Sequence, residues 1–266
     1  MKILRIFQID AFASDIFVGN PAAVCPLDSW LQESVMQAIA AENNLSETAF
    51  LVPEVDGYRI RWFTPREEVP LCGHATLASA FVVFTELEPG KDSVRFQSRS
   101  GELIVQRDGK LLNMDFPAYE MERCPEPPAD LLLGLNVEPL EVFAVHSNPN
   151  YYVLYETEDQ VRSITPDFKI IERLHPYGVI VTAPGTDSDC ASRYFVPGFG
   201  IPEDPVTGSI HSALIPFWAE RLHKKKIHAR QVSHRGGELY CEDRGTRVQI
   251  GGYAVKYLEG TITIPV

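Results

Sequence analysis

Arg61-Trp62-Phe63-Thr64-Pro65 returns 132 residues later as Arg193-Tyr194-Phe195-Val196-Pro197. Each proline is followed by a turn of small residues and an apolar, helix-like run. The first run is Gly73-His74-Ala75-Thr76-Leu77-Ala78-Ser79-Ala80, and the second, offset by 135, is Gly208-Ser209-Ile210-His211-Ser212-Ala213-Leu214. Gly101-Glu102-Leu103 recurs as Gly237-Glu238-Leu239 at an offset of 136. Gly19-Asn20-Pro21 has a looser partner, Ser147-Asn148-Pro149, at 128. Four matches in one order at nearly constant offset point to a duplication; chance combined with shared turn chemistry is the alternative. The expected halves are residues 1–118 and 130–255. Between them Cys124-Pro125-Glu126-Pro127-Pro128 can continue neither a helix nor a central strand.

Within each half the pattern reads as strands, a helix, strands, and a helix opened by a glycine turn. The spacing of Leu31, Val35 and Ile39 predicts a helix over Ser29–Glu42, with Asp28 or Ser29 as its cap. Ala75–Phe84 and Ile210–Arg221 are apolar most of the way round, which predicts buried helices. Strands are expected at Met1–Asp10, Tyr58–Phe63, Leu103–Gln106, Val179–Thr182 and Arg247–Ile250, and Thr261–Ile264 can return as a last strand to either half. The resulting expectation is an α+β chain of two homologous domains. Each is a barrel-like, mostly antiparallel or mixed sheet wrapped around a central helix, and residues 256–266 can join the first.

Composition narrows the function. The 266 residues, 45% apolar and 23% charged, suit one large or two modest domains with a full core. A balance of 24 basic against 36 acidic residues argues against nucleic acid, whose phosphates need Lys and Arg. The one basic cluster, Lys224-Lys225-Lys226, reads as a solvated turn or helix end. The longest stretch free of Lys, Arg, Asp and Glu, Val69–Thr85, is interrupted by Pro70, Gly73 and His74, so no membrane span is expected. The start lacks the apolar core, roughly 7–15 residues long, of a secretory signal. Five cysteines (25, 72, 124, 190 and 241) form no C-x-x-C pair and leave an odd one over. A soluble, cytoplasmic protein is the expectation.

Duplicated halves commonly hold a ligand in the cleft where they meet, and the two glycine turns are expected to face it. A helix start offers unpaired N–H groups and partial positive charge, so Cys72-Gly73-His74-Ala75 and Thr207-Gly208-Ser209-Ile210 are candidate cradles for a carboxylate. The plainer alternative is that each glycine only permits a tight turn. A two-thiol racemase is excluded, because the repeat partner of Cys72 is Thr207 and no other cysteine lies beside the second turn. His74 corresponds to Ser209, while Asp204 and Glu47 belong to one half only, the partner of Glu47 falling near Tyr177-Gly178. Desolvation by Leu45, Ala49 and Phe50 could turn a Glu here into a general base; the alternative is a surface Glu at a strand start. Asp204, held extended by Pro205, could orient a ligand or merely cap the helix. His211 and Ser212 read as packed. No histidine grouping has metal spacing, and G-x-G-x-x-G, P-loop and G-x-S-x-G motifs are missing, so neither metal nor nucleotide cofactor is implied.

These segments resemble the PhzF-like (phenazine biosynthesis-like) family, related to diaminopimelate epimerases and proline racemases. The resemblance runs through Asp10-Ala11-Phe12, Phe17–Val24, Leu45–Phe50, Arg61–Pro65, Pro70–Thr76 and Pro197–Ser209. It implies the epimerase-type fold with two similar domains, and a homodimer. It further implies that Glu47 is the general acid/base moving a proton between carbons of a small carboxylic acid, without cofactor or metal. By the same likeness His74, Asp204 and Ser209 line the site, and Cys72, Gly73, Thr207 and Gly208 belong to the turns that hold the substrate carboxylate. Two other readings stay open: a binding or interaction protein that kept only the fold, and a one-thiol enzyme using Cys72.

Overall fold

A computed structural model describes residues 1–264. Its strands and helices run in the order β1 (Lys2–Ala11), β2 (Asn20–Pro26), α1 (Glu33–Asn43), β3 (Glu47–Glu54), β4 (Gly57–Phe63), β5 (Glu68–Val69), α2 (Gly73–Val82), β6 (Ser93–Ser98), β7 (Gly101–Asp108) and β8 (Leu111–Pro117). There follow β9 (Glu122–Arg123), α3 (Ala129–Leu135), β10 (Glu141–Val145), β11 (Asn150–Leu154), α4 (Glu158–Ser163), α5 (Phe168–Ile171), β12 (Gly178–Pro184) and β13 (Cys190–Val196). Last come β14 (Ile201–Asp204), α6 (His211–Leu222), β15 (Lys226–Gln231), β16 (Gly237–Asp243), β17 (Arg247–Gly252) and β18 (Ala254–Ile264). The chain divides into two compact units, one of Met1–Asp115 with the residues from Gly251 onward, the other Phe116–Ile250. The Pro-rich stretch therefore lies inside the second unit, where Cys124 donates its N–H to Val142 and packs on the core.

In the first unit β1 pairs antiparallel with β2, β2 runs parallel to β3, β3 antiparallel to β4, β4 parallel to β6, and β6 antiparallel to β7. The other edge of β1 takes β18, from Lys2↔Ile264 to Ala11↔Ala254. Sheets with parallel pairs need cover on both faces, and here both have it. Ala23 and Cys25 of β2 pack against Met36, Ile39 and Ala40 of α1. α2 packs on β1, β2 and β3, and eight of its residues, His74–Ala80 and Val82, are buried. A helix so covered has to be apolar all round, as its sequence is.

The second unit has the same succession of pairings: β10 and β11 antiparallel, β11 and β12 parallel, β12 and β13 antiparallel, β13 and β15 parallel, β15 and β16 antiparallel. Residues of α3, α4 and α5 pack with Val153, Val179, Val181 and Phe195 in one cluster, while α6 buries His211–Ile215, Trp218 and Ala219. Among the described residues no helix is long and apolar enough to cross a membrane.

The start of the first helix departs from the sequence expectation. α1 begins at Glu33, and its N-cap position is Gln32, with no side-chain cap, so neither Asp28 nor Ser29 caps it. Leu27 still donates its N–H to the Leu51 carbonyl at 2.7 Å, which holds the chain to the sheet up to that point.

Candidate active site

Asn44, in the left-handed region at φ 49°, ends α1, and three residues later Glu47 opens β3 beside Ala22 of β2. β2 itself starts two residues earlier, at Asn20. The side chains at these neighbouring strand starts meet the first turn of α2. Its N-cap position is Cys72, which is extended and makes no side-chain cap bond, so the α2 entrance presents Gly73 and His74 directly.

The geometry centres on the His74 imidazole. Its Nε2 lies 3.0 Å from Glu47 Oε2, with the two side chains 6% and 16% exposed. Its Nδ1 lies 3.2 Å from Asn20 Nδ2 and 3.5 Å from Cys72 Sγ. Burial opposes a positive ring, whereas negative charge on Cys72 and, to a lesser extent, on Glu47 favours it; with both of those charges present His74 is held well above its ordinary value. The share due to sulfur is withheld at neutral pH. Burial, reinforced by the Glu47 charge, pushes the Cys72 thiol up to about 11 and keeps it as S–H.

Donor atoms of Glu47, Cys72 and His74 all lie within 4.8 Å of one another. Glu47 approaches Nε2 and Cys72 approaches Nδ1, one on each nitrogen of the ring. The arrangement is a chain of proton-bearing groups, suited to general acid–base chemistry.

In the second unit Asp204 is buried and ends β14. Its carboxylate accepts a hydrogen bond from the Thr207 hydroxyl. Gln231 clamps the same turn twice, donating to the Asp204 carbonyl at 2.7 Å and accepting from the Thr207 N–H at 2.8 Å. Gly208 and Ser209 form the turn that leads into α6, their carbonyls accepting from the N–H groups of His211 and Ser212. The N-cap position of α6 is Ile210, so Asp204 does not occupy it. His211 is fully buried with Nδ1 2.8 Å from the Thr207 carbonyl, and burial pushes it down to about 4, so it is a neutral packed ring.

Thus Glu47, Cys72, Gly73 and His74 come together around one imidazole, and Asp204, Thr207, Gly208 and Ser209 around one tight turn. Sequence reasoning did not single out Asn20 and Gln231 as site residues. Asn20 sits in the repeated Asn-Pro pair, a signal that marked it for topology but not for contact with His74.

A family model described as phenazine biosynthesis-like protein matches residues 9–260. The chain belongs to the phenazine biosynthesis-like family. A Pseudomonas aeruginosa protein named as an uncharacterized isomerase is 49% identical over 97% of this chain and 98% of its own. A crystal structure of a PhzF-family phenazine biosynthesis protein from Enterococcus faecalis superposes with TM-score 0.95 at 44% identity, covering 99% of this chain and 100% of that one. A hydroxyproline epimerase from Agrobacterium vitis shares the fold at TM-score 0.62 and 9% identity, over 98% of this chain and 91% of that one. The expected α+β epimerase-type fold is the observed one.

Proposed function

We propose that this member of the phenazine biosynthesis-like family is an isomerase that moves a proton at carbon on a small carboxylic acid, with Glu47 taking and returning it. The observation that carries this is the Glu47–His74 pair: a carboxylate only 16% exposed, 3.0 Å from an imidazole at the start of a buried helix. The isomerase name borne by the Pseudomonas relative supports the reaction class. A C–H bond next to the acid group breaks, its proton goes to Glu47, and its electron pair delocalises into the acid. The proton then returns to carbon, so nothing is oxidised or reduced. N–H groups at the turn of Gly73, beside Cys72, hold the acid and offset its developing charge. His74 assists proton handling and orientation. The active assembly is a homodimer, which light scattering on the purified protein tests.

The experiment is hydrogen exchange in D₂O. A panel of cyclic and amino acids is incubated with the protein and with Glu47→Gln, and deuterium at carbon is followed by NMR. Exchange that needs the wild-type carboxylate supports the reading. Exchange persisting undiminished in Glu47→Gln removes Glu47 as the base.

A further inference from the structure

The two ring nitrogens of His74 face groups of opposite character. On the Nε2 side stands the Glu47 carboxylate, which can only accept while ionised. On the Nδ1 side stands the Asn20 amide nitrogen, which can only donate, at 3.2 Å from a fully buried side chain. Beside it, at 3.5 Å, is the Cys72 sulfur. Burial raises that thiol to about 11, so at neutral pH it too carries a hydrogen to offer. Two donors converging on one ring nitrogen leave it the acceptor role, and the single proton of a neutral imidazole then belongs on the other.

We propose that Asn20, backed by Cys72, is a positioning residue that locks His74 in the Nε2–H tautomer, so that the ring turns its one N–H toward the Glu47 carboxylate. This rests on the reading of Glu47 as the base and adds how that base is held. A ring N–H facing Oε2 from 3.0 Å helps to orient the carboxylate that takes the proton from carbon. A positive imidazole would instead bring a second N–H up against the Asn20 amide nitrogen. With the sulfur uncharged, burial is opposed only by the single Glu47 carboxylate. Cys72 serves this arrangement as a hydrogen-bond donor rather than as a nucleophile.

The test reads the tautomer directly and needs no substrate. In long-range ¹H–¹⁵N spectra of the ¹⁵N-labelled protein near pH 7.5, a protonated and an unprotonated ring nitrogen are told apart by shift and coupling pattern. His74 is assigned among the seven histidines by its loss in His74→Gln. The expected wild-type pattern is a protonated Nε2 and an unprotonated Nδ1, unchanged in Cys72→Ser, which keeps a donor. Asn20→Asp replaces the donor by an acceptor and should place a proton on Nδ1. A protonated Nδ1 in the wild type, whether as the other tautomer or as the imidazolium, overturns the proposal. So does an Asn20→Asp spectrum identical to the wild type. If Asn20→Asp fails to fold, the wild-type spectrum decides alone. Failure of Glu47 as the base is a separate outcome, read from D₂O exchange in Glu47→Gln, and would leave the tautomer as measured.

Discussion

His211 sets a pH limit on the stability of the second unit. Its ring is fully buried and, because burial disfavours the charged form, it is pushed down to about 4 from its ordinary 6.5. The folded protein therefore stays neutral at this position over a range where the unfolded chain binds a proton. Since the unfolded state holds more protons between those two values, stability rises with pH across the window and is lost as pH falls from about 6.5 to about 4. At about 1.36 kcal/mol per pH unit the loss comes to about 3 kcal/mol, a large part of a typical folding free energy. Carboxylates titrate in the lower part of this range too, so the informative quantity is the difference between the wild type and His211→Gln. The glutamine amide can still donate to the Thr207 carbonyl but does not titrate. Urea unfolding at half-unit steps from pH 7 to 4 should show the wild type losing about 3 kcal/mol more than the variant. Two curves falling in parallel would refute the argument, and a His211 ring resonance titrating near 6.5 would refute it independently.

Other outcomes follow from packing and pairing. In Gly252→Ala a Cβ would stand 2.3 Å from Cδ1 of the buried Phe12, so overpacking should cost about 1–3 kcal/mol by urea unfolding. Arg193 binds Glu203 through two nitrogens at 2.8 and 2.9 Å and also donates to the Ile164 carbonyl at 2.7 Å. Arg193→Met should cost about 2–3 kcal/mol by stranding those acceptors, and adding Glu203→Leu should recover part of it. Native protein treated with iodoacetamide at pH 8 should be modified only at Cys124, read by peptide mass spectrometry. Cys25, Cys72 and Cys190 are buried with raised thiol pKa values, and Cys241 is buried.

What could be read in advance followed from how local each signal was. The helices after the two glycine turns were visible because continuous burial demands a continuous apolar run, and 73–82 and 211–222 carry one. The period-two strand at 57–63 was visible for the same kind of reason. The start of α1 was not: Asp28 and Ser29 are the better caps by residue type, yet Gln32 takes the position without a side-chain bond. Glu47 showed itself by its place between a helix and an apolar strand. Its partner on the far side of the imidazole did not, since Asn20 and His74 are 54 residues apart and meet only through the fold. Gln231 likewise reaches the 204–207 turn from another strand, across 24 and 27 residues.

The pairing of β1 with β18 also imposes an order in time. Lys2 meets Ile264, so a strand made early waits for one about 260 residues further along the chain. At about 5–20 residues per second that wait is roughly ten to fifty seconds. Throughout it, one side of β1 exposes unmet amide and carbonyl groups that any other extended chain could capture. Nascent-chain aggregation, or its prevention by a chaperone, should therefore concentrate on the first dozen residues, while the intervening unit can already have assembled its own ladder.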